Sequence, residues 1–277
     1  MKDILARLVR ETADDFQKRS VAREYLQARI LLALQDHGAF TDWAFVGGTA
    51  LRFLFQLPRY SEDLDFSLTE TGRDPQFVKR MRGVKSALEA EAYQVDVRAR
   101  EQHAVAGAFV KFRGLLHEIG ISPHADEVLT VRVEIDTNPS PGAGMQTRVI
   151  RRFAMLNVLH YDKASLLAGK LHAVLTRKYT KGRDLYDLAW YLADPAWPAP
   201  NLAFLNNALR QTNWAAEALQ PDTWRDTVAR RLETVDWKRA VADVSPFLER
   251  PRDVALVSAQ TLLTLIKLQA TGSPPSA

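Results

Sequence analysis

Apolar residues recur at two different spacings along the chain, and the change of spacing marks the predicted elements. Spacings of three and four residues predict two helices within residues 3–36 and a third over 74–92. Alternation of apolar and polar residues predicts half-buried strands at 93–98, 109–112 and 129–136. From residue 161 the helical spacing returns, and the run from Val254 to Leu268 predicts a last amphipathic helix. Strands that follow helices in this way indicate a mixed sheet in an α+β fold.

The stretch 45–68, FVGGTALRFLFQLPRYSEDLDFSL, predicts a strand, a tight turn, a short helix and a second strand. Gly47 and Gly48 form the turn, because they allow a backbone path that a side chain would obstruct. They leave the amides at the start of the helix uncovered, so a phosphate could bind there, with the hydroxyl of Thr49 as a further contact. A glycine pair before a helix is common, and alone it is a weak indication.

Two carboxylates, Asp63 and Asp65, lie two residues apart in the second strand of this stretch. Side chains of a strand alternate between faces, so both point one way while Leu64 and Phe66 point into the core. Two carboxylates about 6–7 Å apart repel each other unless a cation lies between them, and hard oxygen ligands select Mg²⁺ or Mn²⁺. An isolated Asp-x-Asp is more often a solvated strand edge. Together with the glycine turn, however, it predicts a phosphate site beside a divalent-metal site.

A second acidic pair, Glu134 and Asp136, lies in the predicted strand 129–136. Both carboxylates share the face opposite Val133 and Ile135. By spacing alone, a solvent-exposed face explains this pair as well as a metal site does.

The glycine turn followed by Asp-x-Asp resembles the first motif of the DNA-polymerase-β-like nucleotidyltransferases. Within that superfamily the chain is similar to the AbiEii/AbiGii toxins, which include the MenT toxins, over roughly residues 20–195. It departs from the general pattern in two ways, since thirteen residues separate Thr49 from Asp63, which is longer than usual, and Thr49 replaces the usual serine. The threonine keeps the hydroxyl.

The resemblance implies a polymerase-β-like mixed sheet with flanking helices over residues 1–155. A helical domain over 156–270 would complete the active site, and 271–277 would be a disordered tail. Enzymes of this superfamily take a third metal-binding carboxylate from a strand beside the Asp-x-Asp strand. The motif aligns best with Glu134, and Asp136 remains a competitor.

A late segment, AGKLHA followed by GRDLYDL, resembles a motif that supplies a lysine and an aspartate to the active site of these toxins. The matching positions are Lys170 and Asp184. Asp187 lies on the same helix face as Asp184, where it could bind substrate, cap the helix or bridge to Arg183, itself a candidate for substrate binding. Lys170 lies at the edge of its helix's apolar stripe, from which it can reach the cleft. Its truncation is expected to lower transfer and to leave the melting temperature nearly unchanged.

Composition and charge limit the class of protein, the partners it could bind and its location in the cell. The 277 residues are 47% hydrophobic and 25% charged, which is ordinary for a globular protein with a sizeable core. A net charge of +4 and a pI near 9.3 permit an acidic partner such as RNA without requiring one. The absence of cysteine excludes disulfides and thiol chemistry. The charged N-terminal segment and the lack of a long apolar run predict no signal peptide or membrane span, and a cytoplasmic location.

The resemblance implies transfer of a nucleoside monophosphate from an NTP to the 3′ end of tRNA, which blocks aminoacylation and growth. Mg²⁺ or Mn²⁺ would be the cofactor, and a cognate antitoxin the partner. Two alternatives are an enzyme that nucleotidylates a protein and a non-catalytic nucleotide- or RNA-binding module. The second is disfavoured because binding alone would not need Asp63, Asp65 and an acidic third strand together.

Overall fold

The computed structural model describes residues 2–101 and 104–271, and the chain divides into two compact units. The first unit comprises Met1–Gln56, Tyr60–Pro139 and Met145–His160, and the second Leu57–Arg59, Ser140–Gly144 and Tyr161–Ala277. The division at 155/156 suggested by the sequence falls within a strand.

Seven strands of the described residues form one mixed sheet in the order β3-β4-β5-β2-β1-β7-β6. They are β1 (Trp43–Val46), β2 (Asp63–Leu68), β3 (Val95–Glu101), β4 (Val105–Phe112), β5 (Leu129–Asp136), β6 (Met145–Arg152) and β7 (Ala154–Tyr161). Strand β2 runs antiparallel to β1 and parallel to β5, while β4 is antiparallel to both β3 and β5. The predicted α+β fold with a mixed sheet is confirmed.

Helices of the first unit share one hydrophobic core with the sheet. These are α1 (Lys2–Arg10), α2 (Asp15–Asp36), α3 (Gly47–Phe55), α4 (Phe77–Ala90) and α5 (Leu115–Glu118). The core between them contains Leu26 and Ile30 of α2 together with Phe66 and Val133 of the sheet, all at most 2% exposed. Because these inward residues alternate with polar ones along β2 and β5, the opposite face carries the carboxylates.

The second unit is helical, as the return of helical spacing predicts. It contains α6 (Lys163–Thr176), α7 (Gly182–Ala193), α8 (Leu202–Gln211), α9 (Trp224–Glu233), α10 (Trp237–Val244) and α11 (Ala259–Thr271). Side-chain caps begin several of these helices; the carboxylate of Asp162, for example, accepts from the backbone N–H of Ser165 at 2.7 Å. The last helix begins later than predicted, since Pro251–Leu256 is a 3₁₀ helix. The expected tail, 271–277, lies outside the described residues except for Thr271.

Strands β6 and β7 were not predicted. Strand β6 is one of the two edge strands of the sheet. Of its side chains only Ile150 is buried, so its sequence MQTRVIRR lacks the alternation of a half-buried strand. Strand β7 does bury Leu156, Val158 and His160 on one face, and that alternation was a usable signal. No helix within the described ranges is long and apolar enough to cross a membrane.

Candidate active site

Gly47 lies at the junction of β1 and α3, in close contact with Asp65. Its φ of +77° belongs to the left-handed region that favours glycine. A Cβ added there would lie 2.4 Å from Oδ2 of Asp65. Position 47 therefore requires glycine for two reasons, the turn and the space that the Asp65 carboxylate occupies. The sequence pattern indicates only the first.

The amides at the start of α3 have no side-chain cap, because the residue before the helix is Val46. Gly48 is buried in the first turn. An uncapped helix start preceded by glycine is compatible with the predicted phosphate contact through backbone N–H groups.

Thr49 is fully buried, and its hydroxyl donates to the main-chain carbonyl of Asp63. This hydrogen bond ties the first turn of α3 to the start of β2. In this position the hydroxyl holds the strand in place, and a contact between Thr49 and a phosphate stays a prediction.

The pairing of β2 with β5 decides which carboxylate lies beside the Asp-x-Asp pair. In this parallel register Asp65 is opposite Glu134, whereas Asp136 is opposite Ser67. Paired residues of neighbouring strands point to the same face and lie about 4.8 Å apart across the ladder. The sheet face that bears Asp63 and Asp65 is called the carboxylate face below. On it Glu134, rather than Asp136, is the direct neighbour of Asp65.

Each acidic residue of β5 has a different local partner. Oε1 of Glu134 lies 2.5 Å from Nη2 of Arg132, two residues earlier on the same face. Asp136 is exposed as a residue, and its carboxylate accepts from the backbone N–H of Asn138 at 2.9 Å. Partial burial of that carboxylate raises its pKa, and the Asn138 hydrogen bond opposes the shift. Within the described residues, no three His, Cys, Asp or Glu side chains are already gathered closely enough to hold a metal ion.

Lys170 of α6 lies between two carboxylates of α7. Its Nζ is 2.9 Å from Oδ1 of Asp184 and 2.8 Å from Oδ2 of Asp187. Both aspartates are buried, and the lysine side chain is only 11% exposed. The expectation of a lysine whose loss costs little stability is therefore corrected, because removing it would leave two buried carboxylates without this partner.

Arg59, which no sequence motif identifies, is a further partner of Asp187. Its Nε and Nη2 lie 2.6 and 2.7 Å from Oδ1 and Oδ2 of Asp187. On the other side of Lys170, Arg177 pairs with Asp184. These five side chains, Arg59, Lys170, Arg177, Asp184 and Asp187, are called the lysine cluster below. Nothing in the sequence distinguishes Arg59 from other arginines, since its burial follows from packing within the second unit.

Charge compensation sets the protonation states of Lys170 and Asp184. Burial by itself lowers the pKa of Lys170, but the charges of Asp184 and Asp187 outweigh it and raise the pKa above its usual value. Burial likewise raises the pKa of Asp184, and Lys170 and Arg177 outweigh it and lower the pKa. The lysine and this aspartate are therefore both charged at neutral pH.

Arg183 does not pair with Asp187. Its guanidinium lies 4.4 Å from the ring centroid of Phe247 and 3.9 Å from a carboxylate oxygen of Asp243. The suggested Asp187–Arg183 bridge is therefore wrong, because Asp187 is held by Arg59 and Lys170. A substrate-binding role for Arg183 stays a prediction.

Comparison with known proteins identifies the family of the chain. The sequence model of the family described as "Nucleotidyl transferase AbiEii toxin, Type IV TA system" matches residues 29–259. The chain belongs to this family. As a member, it is assigned to the nucleotidyltransferase toxins of type IV toxin–antitoxin systems, which implies a nucleotide substrate and an antitoxin partner. The resemblance noted from the sequence is confirmed.

Solved structures share the fold of this AbiEii family member. The crystal structure of JHP933 from Helicobacter pylori superposes with a TM-score of 0.56 at 19% identity, over 92% of this chain and 93% of that one. A "putative nucleotidyltransferase from H. pylori" superposes with a TM-score of 0.50 at 19% identity, over 89% and 96% of the two chains. At this identity the likeness shows the fold alone. No curated protein matches the sequence.

Proposed function

We propose that this AbiEii family member transfers a nucleoside monophosphate from an NTP to the 3′ end of tRNA, and so blocks aminoacylation and growth. The observation that carries the catalytic part is the register of β2 and β5, which aligns Glu134 with Asp65 on the face that also bears Asp63. The RNA acceptor is supported by the positive net charge and by the resemblance to tRNA-modifying toxins.

Asp63, Asp65 and Glu134 fit a divalent cation in their donor chemistry, because all three supply hard carboxylate oxygens from adjacent positions of one face. The Asp65 carboxylate also lies close against Gly47, which restricts the positions that it can take. These three residues would hold Mg²⁺ or Mn²⁺, with Asp136 as the less favoured ligand. Such an ion, when bound, stabilises charge on the phosphates and lowers the pKa of the attacking hydroxyl.

The chain's other groups would bind and orient the nucleotide. Backbone N–H groups at Gly48 and Thr49 would receive phosphate oxygens, next to the turn at Gly47. Phosphoryl transfer needs little covalent chemistry from a protein, so positioning and electrostatic stabilisation supply most of the rate enhancement.

Lys170 and Asp184 are proposed to act on the charge of the triphosphate, with Asp187 and Arg59 fixing the lysine. The lysine cluster holds Lys170 by ion pairs with Asp184 and Asp187. A lysine acts on phosphate oxygens as a point charge. Removing it should lower transfer by at least about ten- to hundredfold.

The test is a transfer assay with the purified chain, Mg²⁺, total tRNA and each α-labelled NTP in turn. Label should enter RNA with the wild type and be lost with Asp65→Ala. Asp136→Asn, on the same face and one alternation step from Glu134, is the matched comparison and should keep more than about a tenth of wild-type transfer. If the label enters protein instead of RNA, the acceptor is a polypeptide. If no NTP gives label in RNA or in protein, the proposal of an enzyme is overturned.

A further inference from the structure

The carboxylate face extends beyond the candidate catalytic residues onto β4 and β3, where its chemistry changes. Along β4 the inward residues are buried, whereas Val105 and Phe109 on the carboxylate face are 44% and 46% exposed. These two apolar side chains are therefore exposed on the same face as the candidate catalytic carboxylates. Phe109 is the aromatic one of this pair.

Strand pairing places these residues in two rows across the face. The first row reads Arg98, Phe109, Arg132 and Asp63, and the second Arg100, Gly107, Glu134 and Asp65. Both rows therefore run from arginine at β3 to the candidate metal-binding aspartates at β2. With strands about 4.8 Å apart, Phe109 lies roughly 10 Å from Asp63 along its row.

Basic side chains lie around Phe109, and the two carboxylates nearest to it on this face are paired, Asp96 with Arg113 and Glu134 with Arg132. Arg98 and Arg100 are exposed on β3, and Lys111 lies on the same face of β4. The guanidinium of Arg132 lies 5.7 Å from the ring centroid of Phe109. Gly107, between Val105 and Phe109, leaves space beside Glu134, because a Cβ there would come no closer than 3.8 Å to that carboxylate.

We infer that Phe109, Arg98 and Arg100 form a platform for the single-stranded end of the RNA acceptor. A base of the acceptor stacks on the Phe109 ring, and the two arginines contact phosphates of the strand. An exposed aromatic ring among cations on a sheet surface is the combination that binds single strands, since every base has a π face and every linkage a negative charge. This inference rests on the proposed function for its choice of acceptor.

A protein partner fits the same observations less well. An antitoxin anchored here would need a contiguous apolar patch, whereas Phe109 has arginines on both neighbouring strands, Arg98 on one and Arg132 on the other. Arg132 is paired with Glu134, so the positive charge that favours a polyanion comes from the exposed Arg98 and Arg100 on β3. The rows also lead directly to the carboxylates, where an acceptor hydroxyl would have to arrive.

The test measures binding of a fluorescein-labelled single-stranded oligoribonucleotide of about eight nucleotides to the full chain, without NTP or added metal. Phe109→Ala should weaken binding about five- to 150-fold. Phe109→Leu should lose nearly as much, because it keeps apolar area but not the π face, and Phe109→Trp should retain binding. Arg98→Gln should reduce the slope of log K against log salt concentration by about 0.7.

Two matched controls test the specificity of these changes. Phe16→Ala removes a phenylalanine of similar exposure, 42%, from α2, and Arg10→Gln removes an exposed arginine from α1. Both should bind the oligonucleotide like the wild type. Phe109→Trp and Arg98→Gln should melt at the wild-type temperature, because they keep most of an exposed side chain. They keep the test decisive if Phe109→Ala does not fold.

The outcomes separate this inference from the proposed function. Oligonucleotide binding that falls with Phe109 and Arg98 supports the platform even if no NTP is turned over. Binding unaffected by these substitutions, or substitutions that weaken only NTP binding, would overturn the platform and leave the nucleotidyltransferase proposal standing. A third outcome would assign the surface to a protein partner. In that case the Phe109→Leu variant would still bind a polypeptide acceptor or antitoxin, the Phe109→Ala variant would not, and RNA binding would be the same for both.

Discussion

The guanidinium of Arg59 holds both carboxylate oxygens of Asp187, at 2.6 and 2.7 Å, where the two side chains are 3% and 0% exposed. Two parallel N–H···O bonds fix the carboxylate in one orientation. Oδ2 of Asp187 also forms an ion pair with Nζ of Lys170, at 2.8 Å. Arg59 therefore fixes the orientation of the carboxylate with which Lys170 pairs.

Arg59→Ala should lower the free energy of unfolding by about 3–5 kcal/mol, because it leaves a buried carboxylate without its principal partner. Urea denaturation at neutral pH measures the change. The matched control is Arg250→Ala in the same unit, since Arg250 pairs with Asp253 but is 55% exposed and should cost within about 1 kcal/mol. Equal costs for the two variants would contradict a buried role for Arg59.

The stabilisation by Lys170 should depend on pH at both extremes. Because its pKa is raised above 10.5, its contribution is fully present below about that pH and is lost as pH rises through the higher folded value. The pKa of Asp184 is lowered below 3.8, so its contribution is present above that value and is lost as pH falls through the folded one. The difference in unfolding free energy between wild type and Lys170→Met should be constant around neutrality and shrink in acid and alkali. A transition near pH 7 would show that another group controls it.

Residues in periodic segments were predictable, and residues placed by tertiary packing were not. Alternation along β2 and β5 was enough to assign Asp63, Asp65 and Glu134 to faces, because a strand has a period of two. The choice between Glu134 and Asp136 needed the register, which no single strand encodes.

The lysine cluster shows the same limit in the second unit. The late motif identifies Lys170 but not its burial, since the helical spacing places it at the edge of an apolar stripe. Arg59 is separated from Asp187 by 128 positions, so only the folded unit brings them together. The edge strand β6 was not predicted, because most of its side chains are exposed and its sequence shows almost no alternation of apolar and polar residues.

Gly47→Ala should lower kcat/KM for nucleotide transfer by about hundredfold, because the new Cβ would displace the Asp65 carboxylate, and misplacement by about 1 Å is that costly. Gly38→Ala is the matched control, with a φ of +70° and no atom within 4 Å of the added Cβ. Both variants should lose about 1–2 kcal/mol of stability from left-handed backbone strain. Only Gly47→Ala should lose transfer; equal activities would show that Asp65 does not act from the position observed.

Glu134→Gln should reduce transfer by at least about hundredfold, about 2.7 kcal/mol, whereas Asp136→Asn should reduce it by less than about tenfold. The two substitutions remove one charge each from the same face of β5, but only Glu134 is opposite Asp65, while Asp136 is opposite Ser67 and bonded to the Asn138 N–H. Single-turnover rates across a Mg²⁺ titration make the comparison, with melting temperatures to confirm that both variants fold. If Asp136→Asn is instead the inactive variant, the third metal-binding carboxylate is Asp136, one alternation step further along β5 and opposite Ser67. The assignment of Glu134 as a metal ligand would then be wrong.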